Sequence, residues 1–298
     1  MPNSYDAGFL IKQEKISFIC RASKAISTHG YRRLNLKVRR YRLSSVQQWE
    51  TALVSISDKL LSVFGLFTFE QPRWTVEQAA EELGLAQSTT YRYFRKLADA
   101  GLIVAISTGQ YVLGPTITML DRQMRMRDPL ITSADKLMED LAPTIDIPSV
   151  LFLCRLYRSQ VMCIYTRDIG RPGFAYSYER GRPMPLHRGA ASKVIMAHLP
   201  ARVVRPLINE NQKDVAASGL GSTWPINKKR LRLIRNAGYE VTRGDLDRGL
   251  LGIASPVFGT DGGVIGSFCI VMKDNKSAED QLDGMIKKIV NAAQAITA

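Results

Sequence analysis

Residues 75–114, TVEQAAEELGLAQSTTYRYFRKLADAGLIVAISTGQYVLG, constrain the fold more than any other part of the chain. Thr75 with Gln78 three residues on is a capping-box pattern that starts a helix. Val76, Ala79, Ala80 and Leu83 give that helix one apolar stripe. Gly84 then supplies a turn, because glycine alone enters positive φ at little steric cost. A second helix follows, with Thr90, Phe94 and Leu97 at i, i+4 and i+7 on its inner face, and Gly101 stops it. Two alternating strands around Thr108-Gly109 read as a hairpin. Upstream, Leu53, Ile56, Leu60, Val63 and Phe64 keep helical spacing. The expected order is helix, helix, four-residue turn, helix, hairpin, which is a winged helix-turn-helix.

That order gives the second helix a chemistry. In such motifs its N-terminal end enters the DNA major groove. Gln87, Ser88 and Thr89 stand at that end, where their side chains can bond base edges or phosphates and the helix terminus itself favours an anion. Tyr91, Arg92, Arg95 and Lys96 fall opposite the apolar stripe. These seven residues are the candidate DNA-binding set. A solvated charged helix in a protein-binding winged helix is the competing reading; the hairpin, the turn glycine and the polar-then-basic order favour DNA.

Charge points the same way only locally. The 298 residues carry a formal +14, but residues 46–115 hold five Lys/Arg against seven Asp/Glu. Residues 1–45 hold ten against two, in weakly periodic sequence with a basic cluster, YRRLNLKVRRYR. They are expected to be a disordered extension or translated sequence upstream of the true start, or else a basic arm on DNA phosphates. No apolar run approaches the ~18–20 residues of a membrane span, and no signal peptide is evident, so a cytoplasmic protein with no membrane partner is expected. Four cysteines without a CxxC pair, and three histidines, make a metal site unexpected. Cys154, Cys163 and Cys269 fall in strands and read as buried small hydrophobes.

Pro115 opens an expected linker helix, 115–127, with Ile117, Leu120 and Met124 on one side and Arg122, Arg125 and Arg127 elsewhere. Residues 128–298 alternate between strand and helix patterns. SVLFLCRLY and QVMCIYTRD flank a turn at Arg158-Ser159; LLGIASPVF and GVIGSFCIVM flank a Gly-rich loop. Helices are expected at 128–145, around RGAASKVIMAHL, ARVVRPLIN and NKKRLRLIRNAG, and finally over 277–296, with Ser277 the expected N-cap. Two antiparallel hairpins with helices outside describe a small-molecule sensor domain. His187, Asp245 and Asp247 are not grouped with a nucleophile, so no catalytic residue is assigned.

Several of these segments resemble the IclR family of bacterial transcription regulators. AAEELGLAQSTTYRYFRKLADAGLI and the wing-closing YVLG are similar to the family's DNA-binding segment, with Ser88, Thr89 and Arg92 in their usual places. PMPLHRGAASKVIMAHLP and GYEVTRGDLDRGLLGIASPVFGTDGGVIG look like its two effector-domain signatures. The resemblance runs from about residue 50 to 295 and is absent from 1–45. It implies a GAF-like effector domain, a homodimer or tetramer, a double-stranded DNA operator and a small organic acid effector. It places Met184, Ala190, Ala191, Leu250, Gly252 and Cys269 on the effector pocket wall. Ser192 could add a hydroxyl at the N-terminus of that helix. Family members that bind small keto-acids carry polar groups where this chain has Gly252, Cys269 and Val271, so a more apolar pocket and a larger or aromatic acid are implied. Tyr176, Tyr178 and Arg182 could close over the ligand.

The sequence thus predicts an α+β protein: a winged helix-turn-helix over 50–114, the linker helix, and an antiparallel-sheet effector domain over 128–298. It is read as a ligand-responsive DNA-binding regulator without a cofactor. A small-molecule enzyme on the sensor fold and a winged-helix protein-interaction module are the alternatives.

Overall fold

A computed structural model describes residues 56–107 and 109–296. The expectations for residues 1–45, for Leu53 and for Thr108 lie outside them. The chain divides into compact units at 1–62 and 63–298. Of the first, only the opening turns of helix α1 (Ile56–Gly65) are described.

In the second unit, α2 (Val76–Leu83) and α3 (Gln87–Asp99) form the helix pair. Thr75 Oγ1 accepts from the Gln78 amide at 3.2 Å while Gln78 Oε1 accepts from the Thr75 amide at 3.0 Å, so the capping box is complete. Gly84 has φ 62°, and three residues separate the helices, one fewer than expected. Strands β1 (Ile103–Ser107) and β2 (Gln110–Leu113) pair antiparallel as the wing, and Trp74 bridges to Tyr111 beside them. Phe94, fully buried, meets the Tyr111 ring edge-on at 4.9 Å and ties α3 to the wing. Tyr93 joins Thr90, Phe94 and Leu97 on the buried face.

Helix α4 (Pro115–Arg127) starts with proline at its first turn. Its root is locked to the wing. Gly114 N–H bonds Leu102 O at 2.8 Å, and a Cβ at Gly114 would come within 2.2 Å of Gly101 O. Thr116 Oγ1 donates to Ala100 O at 2.9 Å. None of the thirteen residues of α4 is buried.

Beyond it lies one six-stranded antiparallel sheet. Its strands are β3 (Ser149–Tyr157), β4 (Gln160–Ile169), β5 (Pro183–Pro185), β6 (Glu240–Arg243), β7 (Leu250–Phe258) and β8 (Val264–Lys273), in the order β5-β4-β3-β8-β7-β6. The expected hairpins β3–β4 and β7–β8 join through β3 against β8. Period-2 alternation divides the core. Leu151, Leu153, Ile253 and Ile270 face helices α5 (Pro129–Leu141) and α11 (Leu282–Ala295). Val150, Phe152, Cys154, Ala254 and Cys269 face α6 (Ala190–His198), α7 (Ala201–Glu210) and α9 (Trp224–Ala237). Both faces are covered, so eight of the nine residues of β7 are buried. Cys154, Cys163 and Cys269 are buried free thiols.

Three local expectations change. Strand β5 and the short α8 (Gln212–Ala217) were not anticipated; both are too short to carry periodicity. Ser277 is not an N-cap: Asn275 is, with its side chain accepting from the Ala278 amide at 3.0 Å. The closing segment is also two helices, α10 (Lys276–Asp280) and α11, because the chain breaks at Gln281.

Candidate functional site

On the winged head, α3 presents Gln87, Ser88, Tyr91, Arg92, Arg95 and Lys96 to solvent, with Thr89 half-buried beside them. Tyr91 is 56% exposed although it is aromatic. Gln87, Ser88 and Tyr91 share a groove with Gly109 and Tyr111 of the wing and with Glu77 of α2. The buried stripe leaves the four basic and aromatic residues no direction but outward, so the surface is a consequence of how α3 packs. Among the described residues, the sole carboxylate lining this groove is that of Glu77.

The second candidate lies between the N-terminus of α6, the sheet and the loop 244–249. A cavity of ≈ 30 Å³ is lined by Ala190, Ala191, Leu250, Gly252 and Cys269, five of the seven residues assigned to the effector, together with Tyr178, Thr242, Asp245, Asp247, Ile253 and Val271. Met184 lies elsewhere: it is buried in β5, packed in the core cluster that contains Phe152 and Val161. Ser192 is fully buried and holds the Tyr178 hydroxyl at 2.6 Å instead of lining the cavity. Tyr178 also donates to Arg188 O at 3.2 Å. Burial pushes its phenol well above the ordinary tyrosine range, so it stays protonated. Tyr176 packs edge-on against Phe152 at 5.0 Å, while Arg182 is exposed.

The acid groups of the loop were assigned no role from the sequence, and the structure gives them one. Asp245 Oδ2 accepts from the Gly189 amide at 2.7 Å and pairs with Lys193 Nζ at 2.8 Å. The two side chains are 10% and 5% exposed. Gly189 caps α6 at φ 78°, and a Cβ there would strike the Tyr178 ring at 2.9 Å. The positive end of α6, its first free amide and a buried ammonium thus converge on one carboxylate. Asp247 accepts from Ser177 N at 2.9 Å and from Ser177 Oγ at 2.5 Å, which pins the loop to the segment carrying Tyr176 and Tyr178. The signal available in sequence was the pair of acids after a strand, facing a lysine on an otherwise apolar helix.

This segment also reaches the linker helix. Arg180, two residues after Tyr178, donates Nε to Ile164 O at 2.9 Å and pairs through Nη2 with Asp121 of α4. Arg180's hydrogen bond holds the Asp121 carboxyl below its ordinary value. His187 lines a separate cleft with Glu210 and Asn211, and burial pushes its imidazole down, leaving it neutral near pH 7. Among the described residues no group of three or more His, Cys, Asp and Glu could hold a metal ion. None of the described helices is long and apolar enough to cross a membrane.

Comparison with known proteins places this architecture. Residues 125–298 match the family model described as bacterial transcriptional regulator IclR C-terminal, and residues 58–105 match the IclR helix-turn-helix domain. The chain belongs to the IclR family. The HTH-type transcriptional regulator KipR of Bacillus subtilis is 23% identical over 243 residues, covering 80% of this chain and 94% of KipR. KdgR of Dickeya chrysanthemi is 24% identical over 251 residues, covering 80% and 78%. The fold is shared with an IclR homologue of Microbacterium hydrocarbonoxydans solved with 4-hydroxybenzoate, at TM-score 0.65, 18% identity and coverage of 81% and 97%. It is shared too with an IclR regulator of Alicyclobacillus acidocaldarius, at TM-score 0.64, 20% identity and coverage of 81% and 96%. This IclR-family chain is accordingly a DNA-binding transcriptional regulator and not an enzyme. Its fold is a winged helix-turn-helix followed by a GAF-like effector domain.

Proposed function

We propose that this regulator senses a small organic acid whose carboxylate takes the place that Asp245 holds at the N-terminus of α6. The observation that carries the reading is the convergence of the Gly189 amide and Lys193 Nζ on one buried carboxylate oxygen. A ligand carboxylate can accept from the same two donors. The neighbouring walls, Ala190, Ala191, Leu250, Ile253 and Val271, suit an apolar or aromatic body, in keeping with the 4-hydroxybenzoate held by the Microbacterium homologue. A cavity of ≈ 30 Å³ has room for one or two waters only. Binding therefore requires Asp245 to leave and its loop to open.

The loop's departure pulls on Ser177 through Asp247, and the same segment holds Asp121 of the linker helix through Arg180. Effector binding is thereby coupled to the winged head through α4. Gln87, Ser88 and Thr89 read base edges, and Tyr91, Arg92, Arg95 and Lys96 hold the backbone of an operator duplex. Met119, Leu120, Met124 and Met126 are exposed on α4 and pack against a second copy, making a homodimer or a tetramer in the cytoplasm. The test is fluorescence anisotropy with DNA from upstream of the protein's own gene. The reading expects tight, steeply salt-dependent binding that an aromatic acid shifts; binding that is absent, or indifferent to salt, overturns the DNA half.

A further inference from the structure

A second and larger cavity lies at the opposite end of α6. It has a volume of ≈ 300 Å³, the lower end of the range for small-molecule sites, and it shares no lining residue with the Asp245 cavity. The nine residues of α6 separate the two by ~13 Å along the helix. Its floor is apolar: Met196, Leu199, Val204, Trp224 and Leu231. Its rim is cationic. Lys228, Arg232 and Arg235 recur at i, i+4 and i+7 along α9, so they stand on one face of that helix. Among the described residues, no acidic side chain lines it. Arg235 Nε is held by Ala197 O at 2.6 Å. Among the described residues, Lys228 and Arg232 have neither a hydrogen bond nor an ion pair. Trp224 stands at the wall with the Arg205 guanidinium 5.8 Å from its ring centroid, which adds a fourth cation near the mouth.

We propose that this cavity is a second ligand site, for an amphipathic organic anion: an aromatic or medium-chain acyl body on the floor, and a carboxylate or sulfonate at Lys228 and Arg232. The chemistry follows from the lining. A concave apolar floor selects a hydrophobic body, and partnerless cations beside it select the sign of the head group and disfavour a neutral analogue. Because Ala190 and Ala191 wall one cavity while Met196 and Ala197 wall the other, α6 is common to both sites.

The probe is anilinonaphthalene sulfonate, whose fluorescence rises in an apolar pocket, titrated into the full chain. Wild type is expected to bind with a micromolar Kd. The exposed pair Lys228→Gln/Arg232→Gln should raise Kd at least tenfold, and Ala201→Trp, which fills the cavity, should abolish the enhancement. Lys136→Gln, an exposed cation of α5 that lines neither cavity, should leave Kd within twofold. The uncharged parent, N-phenyl-1-naphthylamine, should bind at least tenfold more weakly than the sulfonate. The proposal is overturned if wild type gives no enhancement, as it would were this face covered by a second copy. It is equally overturned if the Lys228/Arg232 variant binds as wild type does, or if Lys136→Gln weakens binding as much as that variant. Should Ala201→Trp fail to fold, the Lys228/Arg232 variant decides, since both side chains are exposed.

Discussion

Replacing Lys193 with methionine tests whether the α6 terminus is held as an electrostatic unit. The change keeps the aliphatic stem and removes the ammonium. Asp245, 10% exposed, then retains only the Gly189 amide, and Ser218 O loses the hydrogen bond that Lys193 gives it. Removing one partner of a buried pair destabilises by roughly 3–5 kcal/mol, because the charge left behind is uncompensated. The cavity edge lets Asp245 regain part of its hydration, so about 2–4 kcal/mol is expected. For domains of this size each kcal/mol moves Tm by roughly 2–4 °C, giving a fall of about 4–16 °C. The control is Lys193→Met/Asp245→Asn, which leaves neither member of the pair charged. Its stability should lie nearer to wild type than the single variant's, with a coupling of at least ~1 kcal/mol in the double-mutant cycle. The assay is urea unfolding followed by circular dichroism, with calorimetric melts in parallel. A Lys193→Met protein within about 0.5 kcal/mol of wild type, or a double variant as unstable as the single, would refute the reasoning.

Other consequences follow from the same contacts. On the head, Arg92→Ala should weaken operator binding by about 1–3 kcal/mol and Thr89→Ala should alter sequence preference; anisotropy against matched and altered sites measures both. Arg180→Gln removes the contact to Asp121, which is about one-third exposed, so stability should change by less than ~1 kcal/mol. The effector-induced shift in DNA affinity should nonetheless shrink while effector affinity holds. Acid should expose a third contact. Burial pushes the Asp128 carboxyl up, but Arg155's hydrogen bond and charge and the Leu130 amide outweigh it, so the group lies below its ordinary value of 3.8. A lowered carboxyl gives stability that is present above the unfolded value and lost as pH falls through the folded one. Thermal melts should therefore drop below about pH 4, and Arg155→Gln should flatten that drop.

The head was legible in the sequence because its devices are local. Capping box, turn glycine, apolar stripe and hairpin each act over a few residues, and all four point to one motif. The sheet was legible as hairpins but not in full. β5 spans three residues and earns its place by pairing with β4, a long-range contact that leaves no periodic trace. The closing helix looked continuous because its apolar spacing persists across Gln281, and no proline or glycine at that position announces the break. At the cavity beside the α6 N-terminus, the small residues of α6 and β7 were placed by resemblance, whereas Met184 and Ser192 fall behind the wall. Asp245 was passed over for a general reason. An acid in a loop is ordinarily solvated, and only folding brings it from position 245 to a helix terminus at position 189.

The central claim is that Asp245 holds the effector's anion site. Its most direct test is calorimetric titration of wild type, Asp245→Asn and Lys193→Met with benzoate, 4-hydroxybenzoate and pyruvate. Weakening the internal carboxylate should let an acid bind Asp245→Asn at least tenfold more tightly than wild type, and an aromatic acid more tightly than pyruvate. Lys193→Met should lose that binding. Equal or weaker acid binding by Asp245→Asn, or binding untouched by Lys193→Met, would contradict the account.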